Sequence, residues 1–239
     1  MHPLWWVILA AALVLLWALF CHWVFTGPRP EAPLGLAYRL VQVYARLVHR
    51  VRVEGAEHIP REREPGGLVV VCNHTAGVDP LLVQSAVPFE IRWMMATDMR
   101  LPQFEWVWSR ARIISVNRGG RDGTGARDAI RHVKAGGVLG VFPEGGIARP
   151  RGVLFPFHPG VGLIIARTGA PVLPVAIRDT PDADRAWGSL WKPSRATVTF
   201  GPLRRFDPAD RPQQIADALR AWFAATTGWQ QMADSPQER

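Results

Sequence analysis

Apolar residues follow two patterns along this chain, and together these patterns predict its elements. Short continuous apolar runs rich in β-branched residues are typical of buried strands, whereas apolar residues spaced three or four positions apart indicate helices. The predicted strands cover residues 51–54, 68–72, 91–96, 113–116, 138–142, 171–177 and 196–200. The predicted helices cover residues 35–50, 101–112, 125–135, 160–168 and 212–226, and a further helix starts at Pro80. This alternation predicts an α/β fold in which helices flank a largely parallel sheet.

The N-terminal segment has the pattern of a transmembrane helix. Residues 4–25 are almost all apolar, and Trp5, Trp6 and Trp23 lie near the two ends of the run. A run of about 20 apolar residues spans a bilayer as a helix, and tryptophan favours the interfaces. The segment lacks the basic start and the small-residue cleavage site of a signal peptide, so we expect a retained anchor.

These patterns divide the chain into four parts. Residues 1–27 form the predicted transmembrane anchor, and residues 28–50 form a proline-rich hinge followed by an amphipathic helix. That helix either lies in the membrane interface or packs on the core of the domain. Residues 51–228 form the predicted α/β domain, and residues 229–239 form a polar tail that we expect to be frayed.

Charge predicts the orientation of the chain and its class of partner. Arginines outnumber acids just after the span, at Arg29, Arg39, Arg46, Arg50 and Arg52. Excess positive charge marks the cytoplasmic side, which predicts a single-pass protein of the cell inner (plasma) membrane with its domain in the cytoplasm. The formal net charge of +8 suits anionic membrane lipids or a substrate that carries phosphate. No nucleic-acid-binding motif is present, so no nucleic acid partner is expected.

Motif searches exclude several kinds of site. Of the two cysteines, Cys21 lies in the span and Cys72 in a buried strand, so we expect neither a disulfide nor a cysteine zinc site. The histidines show no metal-ligand spacing, and no metal or cofactor is expected. A Gly-x-Ser-x-Gly elbow is absent, and the short glycine pattern at 123–125 lacks the third glycine of a dinucleotide-binding loop.

The strand predicted at residues 68–72 ends abruptly in Asn73 and His74. Asp79 and Pro80 follow and carry a helix-start signal, because Asp caps helices and Pro fits the first helical position. His74 at the exit of a strand and Asp79 at the start of a helix can therefore pair through one imidazole nitrogen. Such a carboxylate fixes the tautomer of a general base. The alternatives are a structural histidine and an aspartate that only caps the helix.

Two further strand ends carry polar residues. Arg118 follows the strand at 113–116, and Glu144 and Gly145 follow the strand at 138–142. Because ligands bind beyond the carboxyl ends of strands in α/β sheets, these residues are candidate substrate contacts. Arg118 suits phosphate, Glu144 can accept from a substrate hydroxyl, and the Gly145 turn allows backbone N–H groups to converge on an anion. The alternatives are a surface arginine paired with an acid and a solvated loop glutamate.

The order of these motifs resembles the glycerolipid acyltransferase family that includes bacterial 1-acylglycerol-3-phosphate acyltransferases. Asn73-His74-Thr-Ala-Gly-Val-Asp79 matches the N-H-x4-D block of the family. Ile113-Ile-Ser-Val-Asn-Arg118 looks like its second block, Phe142-Pro-Glu-Gly145 matches its F-P-E-G block, and residues 170–177 are similar to its proline-containing fourth block. The likeness runs from about residue 51 to residue 201, with all four blocks in family order.

This resemblance implies direct acyl transfer without a covalent enzyme intermediate. His74, oriented by Asp79, would take the proton from a lysophospholipid hydroxyl, which would attack the thioester of acyl-CoA or acyl carrier protein (ACP). Asn73, Arg118, Glu144 and Gly145 would bind substrate, with Arg118 and the Glu144-Gly145 loop on the phosphate and glycerol. The thioester is a co-substrate, and no metal is implied.

Two departures from the family pattern fall where the acceptor headgroup would bind. The family commonly continues Thr-Arg-Ser after F-P-E-G, whereas this chain has Gly146-Ile147-Ala148, with Arg149 and Arg151 further on. Residues 97–99 also lack a basic residue that the family often carries. The resemblance makes 1-acyl-sn-glycerol-3-phosphate the first-choice acceptor, and because of these two departures another lyso- or amino-lipid stays open. A catalytically silent lipid-binding membrane protein and a membrane-bound hydrolase are the alternatives from other classes.

Overall fold

The computed structural model describes residues 3–28, 31–117 and 123–233. Two helices, α1 (Pro3–Phe25) and α2 (Ala32–Leu47), precede the sheet. Seven strands then form one sheet: β1 (Arg52–Glu54), β2 (Leu68–Cys72), β3 (Arg92–Ala96), β4 (Ile114–Val116), β5 (Val138–Val141), β7 (Val172–Arg178) and β8 (Thr197–Phe200). Two short strands, β6 (Val153–Leu154) and β9 (Gln230–Gln231), pair separately.

The strand order in the large sheet is β1-β8-β7-β2-β5-β3-β4. Every neighbouring pair is parallel except β7 with β8, which is antiparallel. The prediction of an α/β fold with a largely parallel sheet is therefore confirmed. Strand β2 lies between β7 and β5, so the segment that follows it emerges near the middle of the edge formed by the carboxyl ends of the parallel strands.

Five more helices cover the sheet: α3 (Asp79–Ala86), α4 (Glu105–Arg110), α5 (Thr124–Lys134), α6 (Pro159–Thr168) and α7 (Pro212–Thr227). Every residue of β2 is buried, as its continuous apolar run predicts. Leu68, Val70 and Cys72 belong to the apolar cluster that includes α3. Val69 and Val71 belong to the cluster on the other face, together with α5, α6 and α7. The core is thus built on both faces of the sheet.

Helix α1 is the one helix of the described residues that is long and apolar enough to cross a membrane, over Trp5–Phe25 with a mean hydropathy of 2.4. It contacts α2 closely, since a Cβ built on Gly35 would stand 2.3 Å from the Val24 carbonyl oxygen. Arg39 donates from Nε to the Trp23 carbonyl (2.8 Å), and its guanidinium lies over the Trp23 ring. The two helices therefore form a packed hairpin.

Helix α2 packs on the core of the domain, which confirms one of the two interpretations that the sequence left open, and its position in a membrane interface stays a prediction. One face packs on the domain, where Ala45 is buried and Tyr44 contacts the core cluster that includes α3. The opposite face exposes four large aliphatic side chains, Leu36, Leu40, Val43 and Leu47. An exposed apolar stripe on a helix that follows an apolar α1 is the pattern of a helix at a membrane surface.

The partly buried side chain of Tyr44 ties α2 to a 3-10 helix at Ala186–Trp191. The Tyr44 hydroxyl donates to the Leu190 carbonyl (2.6 Å) and lies 2.7 Å from Nε2 of His49. His49 is completely buried and uses Nδ1 for the Ser194 hydroxyl (2.9 Å), and burial lowers its pKa. In the same 3-10 helix, the Ser189 hydroxyl accepts the N–H of Val78 (3.1 Å), in the loop between β2 and α3.

Two predicted elements differ from the observed ones. The helix expected over residues 101–112 is a 3-10 turn at Pro102–Phe104 followed by the short α4. The prediction of a frayed tail after Gly228 is wrong for residues 229–233. There, β9 pairs with β6, Trp229 packs against the core, and Arg220 donates to the carbonyls of Leu154 and Met232.

Candidate active site

Three adjacent strands deliver polar residues to the same part of the sheet edge. His74 follows β2, Glu144 follows β5, and Thr180 follows β7. The carboxyl ends of parallel strands are where α/β proteins bind ligands. The sequence predicted the first two positions correctly from the sudden change of an apolar run to polar residues.

His74 and Asp79 form the predicted pair, which we call the dyad. Nδ1 of His74 lies 2.9 Å from Oδ2 of Asp79, whose side chain is completely buried, while 17% of the His74 side chain is exposed. The imidazole stacks on Phe142 at 4.1 Å between ring centroids, and Phe142 stacks in turn on Trp93. Within the described residues, no hydrogen bond is made to Nε2 of His74, so this nitrogen is the one presented at the site.

The carboxylate of Asp79 bonds to the loop before its helix. Oδ2 accepts the N–H groups of Thr75 (2.6 Å) and Ala76 (2.9 Å), and Oδ1 accepts the Thr75 hydroxyl (3.2 Å). Asp79 is the first residue of α3 and makes no capping hydrogen bond to it. The cap interpretation is therefore wrong, because the side chain turns back to satisfy backbone donors of residues 75 and 76. Its contacts fix the loop and the imidazole together.

Asn73 has a structural position and not the expected position in a substrate site. Its side chain is completely buried, Nδ2 donates to the Ile177 carbonyl (2.9 Å), and Oδ1 accepts the Ile177 N–H (2.7 Å). The amide thereby continues the pairing of β2 with β7 one step beyond Cys72. Both polar atoms of the Asn73 side chain are hydrogen-bonded to the backbone of Ile177. Asn73 therefore fixes the point at which the segment containing His74 exits the sheet.

Glu144 is also buried, so the solvated-acid interpretation is wrong. Oε1 accepts the N–H of His74 (3.0 Å), and Oε2 accepts the N–H of Phe155 (3.1 Å). Burial raises the pKa of Glu144 from 4.5 to about 7, partly offset by these two N–H groups and by His74. Both carboxylate oxygens thus hold backbone groups around the His74-Asp79 pair, and the contact of Glu144 with a substrate hydroxyl stays a prediction.

The glycine turn after Glu144 differs from its predicted use. Gly145 has a φ of +75°, which an L side chain rarely adopts, and its N–H donates to the Phe142 carbonyl (3.1 Å). That amide closes a turn and is not directed at an anion. Gly145 itself is exposed beside His158, whose Nε2 would lie 2.8 Å from a Cβ placed there.

Arg118, the predicted phosphate contact, lies outside the described residues. The two later arginines contact backbone near the dyad. Arg149 donates to the carbonyls of Ala183 (2.7 Å), Ala148 (3.1 Å) and Thr75 (3.4 Å). Arg151 donates to both the carbonyl and the hydroxyl of Thr180. Within the described residues, no three His, Cys, Asp or Glu side chains are grouped so as to hold a metal ion.

Thr75 and Thr180 are two further buried residues of the site, and neither was predicted from the sequence. The Thr180 hydroxyl donates to the Thr75 hydroxyl (2.8 Å), and Thr75 donates to Asp79. Asp179 turns the chain after β7 with a φ of +58°, a conformation that Asp tolerates better than most residues. The polar run Arg178-Asp179-Thr180, directly after the strand predicted at 171–177, was the signal that could have identified a third contributing strand end.

A histidine oriented by a buried carboxylate, at the carboxyl edge of a parallel sheet, is an arrangement suited to general base catalysis. The family model named Acyltransferase matches residues 50–178, more than half of the 239-residue chain. The chain therefore belongs to the acyltransferase family. The matched segment contains His74, Asp79 and Glu144.

A solved structure supports the fold. The chain is similar to the crystal structure of PlsC from Thermotoga maritima, a 1-acyl-sn-glycerophosphate (LPA) acyltransferase, with a TM-score of 0.65. The two sequences are 20% identical, and the match covers 94% of this chain and 92% of that one. At this identity the likeness establishes a shared architecture over nearly the whole length of both chains.

The buried Glu144 makes the stability of the protein depend on pH. Because its pKa is about 7 in the folded state, against 4.5 for a glutamate exposed to water, the folded state binds more protons between these values. The free energy of unfolding should therefore fall as pH rises from about 5 to about 7 and then level off. We expect Glu144→Gln to remove this decline and to cost about 1–3 kcal/mol at pH 5, because one amide oxygen cannot accept both N–H groups.

Unfolding in detergent between pH 5 and pH 8 measures both effects. Glu62→Gln, a change of the same chemistry at an exposed position, serves as the control and should keep the pH dependence of the wild type. An unaltered slope in Glu144→Gln would show that another group causes the decline.

Proposed function

We propose that this protein transfers a fatty acyl group from acyl-CoA or acyl-ACP to a hydroxyl of a lysophospholipid. The first-choice acceptor is 1-acyl-sn-glycerol-3-phosphate, which would give phosphatidic acid. The observation that carries the proposal is the 2.9 Å contact of His74 Nδ1 with the buried Asp79, which directs Nε2 to the site. Family membership supports acyl transfer, and the PlsC structure suggests the acceptor.

In the proposed reaction, Nε2 of His74 removes the proton of the acceptor hydroxyl as the oxygen attacks the thioester carbonyl. A C–O bond forms, and the tetrahedral intermediate collapses with cleavage of the C–S bond. The imidazolium then gives its proton to the leaving thiolate, so that an ester and a free thiol are produced. Asp79 stabilises the imidazolium between these steps and keeps Nδ1 as the protonated nitrogen of the neutral ring.

The other residues act on the dyad or on the acceptor. Glu144 and Asn73 fix the backbone on either side of the histidine. We assign the acceptor phosphate to Arg118, because a guanidinium matches the phosphate oxygens in a bidentate way. Arg118 follows β4 in the sequence, and β4 is the edge strand of the sheet on the side of β5.

We further propose that α1 anchors the protein in the inner membrane and that the exposed stripe of α2 lies in the interface. The packed hairpin of α1 and α2 supports this arrangement, since α2 cannot move independently of the anchor. The excess of arginine after α1 supports a cytoplasmic domain, where acyl thioesters are available.

Thiol release from acyl-CoA, and separately from acyl-ACP, by purified protein in detergent tests the function across a panel of lysolipids. We expect release that depends on the acceptor, and a loss of at least about 100-fold in kcat for both His74→Ala and Asp79→Asn. His58→Ala, on the 3-10 turn Ala56–His58, is the control and should retain activity. Fatty acid released without acceptor would indicate a hydrolase, and no turnover with either donor would favour a lipid-binding protein.

The role of Arg118 is tested by Arg118→Lys. Lysine keeps the charge but loses the planar fork, so we expect KM for the phosphate-bearing acceptor to rise about tenfold while KM for the thioester stays constant. The same change at Arg131, an exposed residue of α5, should alter neither constant. Equal rises in both KM values would contradict a contact specific to the acceptor.

The interfacial position of α2 is tested by a fluorescent label at Leu40→Cys in a Cys21→Ala background, with Cys72 left buried in β2. In proteoliposomes containing anionic lipid, we expect a blue-shifted emission that aqueous iodide quenches weakly. Arg131→Cys, labelled in the same way on the far helix layer, should be quenched strongly. Equal quenching at the two positions would place α2 in water.

A further inference from the structure

A line of buried hydroxyl groups connects Arg151 to the dyad. Nη2 of Arg151 donates to the Thr180 hydroxyl (2.9 Å), which donates to the Thr75 hydroxyl (2.8 Å). The Thr75 hydroxyl then donates to Asp79, at 3.2 Å from Oδ1 and 3.3 Å from Oδ2. Thr75, Thr180 and Asp79 are all buried, so their polar groups are satisfied by one another and not by bulk water.

The direction of these hydrogen bonds is fixed from both ends. A guanidinium can only donate, and an ionised carboxylate can only accept. The Thr180 oxygen therefore accepts from Arg151, and its proton is left for Thr75. The Thr75 oxygen accepts that proton, and its own proton is left for Asp79. A series of hydrogen bonds with one permitted direction polarises each hydroxyl in it and holds each hydroxyl in one rotamer.

This series of hydrogen bonds joins elements that are distant in sequence but meet at the site. Thr75 belongs to the loop after β2, Thr180 follows β7, and Arg151 lies in the loop after β5. Arg151 also donates to the Thr180 carbonyl, so it fixes both the backbone and the side chain of this residue. Asp79 needs a fixed orientation, because Oδ2 receives His74 Nδ1 and two backbone N–H groups at once.

We propose that Thr180, held by Arg151, is a positioning residue that orients Asp79 through Thr75 and thereby keeps His74 in the tautomer with Nε2 free. The proposal rests on the proposed function for its kinetic consequence only. Without the Thr180 hydroxyl, Thr75 loses the donor that fixes its rotamer, and the contacts of its hydroxyl with the two oxygens of Asp79 are free to break. The N–H groups of Thr75 and Ala76 still hold Oδ2, so the carboxylate pivots about that atom and its angle to Nδ1 of His74 changes.

Thr180→Val tests the proposal, because it keeps the shape of the side chain and removes only the hydroxyl. We expect kcat to fall about tenfold, as for one lost hydrogen bond to a charged network, with both KM values within about twofold of wild type. Thr180→Ser restores the hydroxyl and should return kcat to within about twofold. Thr199→Val is the matched control, since it also removes a threonine–carboxylate bond (2.9 Å to Glu54) but on β8, which β7 separates from β2, and kcat should not change.

A second measurement does not depend on turnover. In protein labelled with ¹⁵N-histidine, the His74 signals are assigned by their absence in His74→Ala. Neutral His74 should be the Nδ1–H tautomer in the wild type and in Thr199→Val, and a mixture of tautomers in Thr180→Val. An unchanged tautomer in Thr180→Val, or a Thr180→Ser variant as impaired as Thr180→Val, would overturn the positioning role. Absence of acceptor-dependent turnover in the wild type would instead refute the proposed function, while the tautomer still decides the role of Thr180.

Discussion

The buried carboxylate of Asp79 is the group on which the site depends. An ionised carboxylate removed from water is very costly unless donors replace its hydration. Here the replacement comes from two backbone N–H groups, a threonine hydroxyl and the imidazole of His74. The loop after β2 therefore has one low-energy conformation, the one that turns its donors toward Asp79. The position of His74 therefore follows from the hydrogen bonds that replace the hydration of Asp79.

The sequence predicted two of the polar residues that follow buried strands at the site, His74 and Glu144. The continuous apolar run of β2 and the sudden appearance of His74 identified the strand exit, and the Asp-Pro pair identified the start of α3. These inferences hold because the pattern of burial and the chemistry of helix starts are local properties. The same reasoning identified Glu144, since it also follows a buried strand directly.

What the sequence could not provide was the direction in which each side chain turns. Asn73 bonds to Ile177, which lies 104 positions away, and this partner is known only once β2 and β7 are paired. Glu144 holds two backbone N–H groups because the chain passes His74 and Phe155 on either side of it. Residues expected to meet the substrate thus hold the scaffold, and the predicted cap, Asp79, holds the loop. Sequence spacing predicts which residues lie near the site. Whether a side chain faces the site or bonds to the backbone depends on the packed structure.

The stacking of His74 on Phe142, with Trp93 behind it, has a consequence for how the two substrates can meet. One face of the imidazole is covered at 4.1 Å, and the Nδ1 edge is occupied by Asp79. Rotating the ring to exchange its nitrogens would break the contact with Asp79 and leave a buried charge without its partner. The ring therefore offers a single reactive direction, in its own plane along Nε2. In the proposed reaction the acceptor hydroxyl therefore approaches Nε2 in the plane of the imidazole, and the orientation of that plane is set by Phe142, which takes no part in the chemistry.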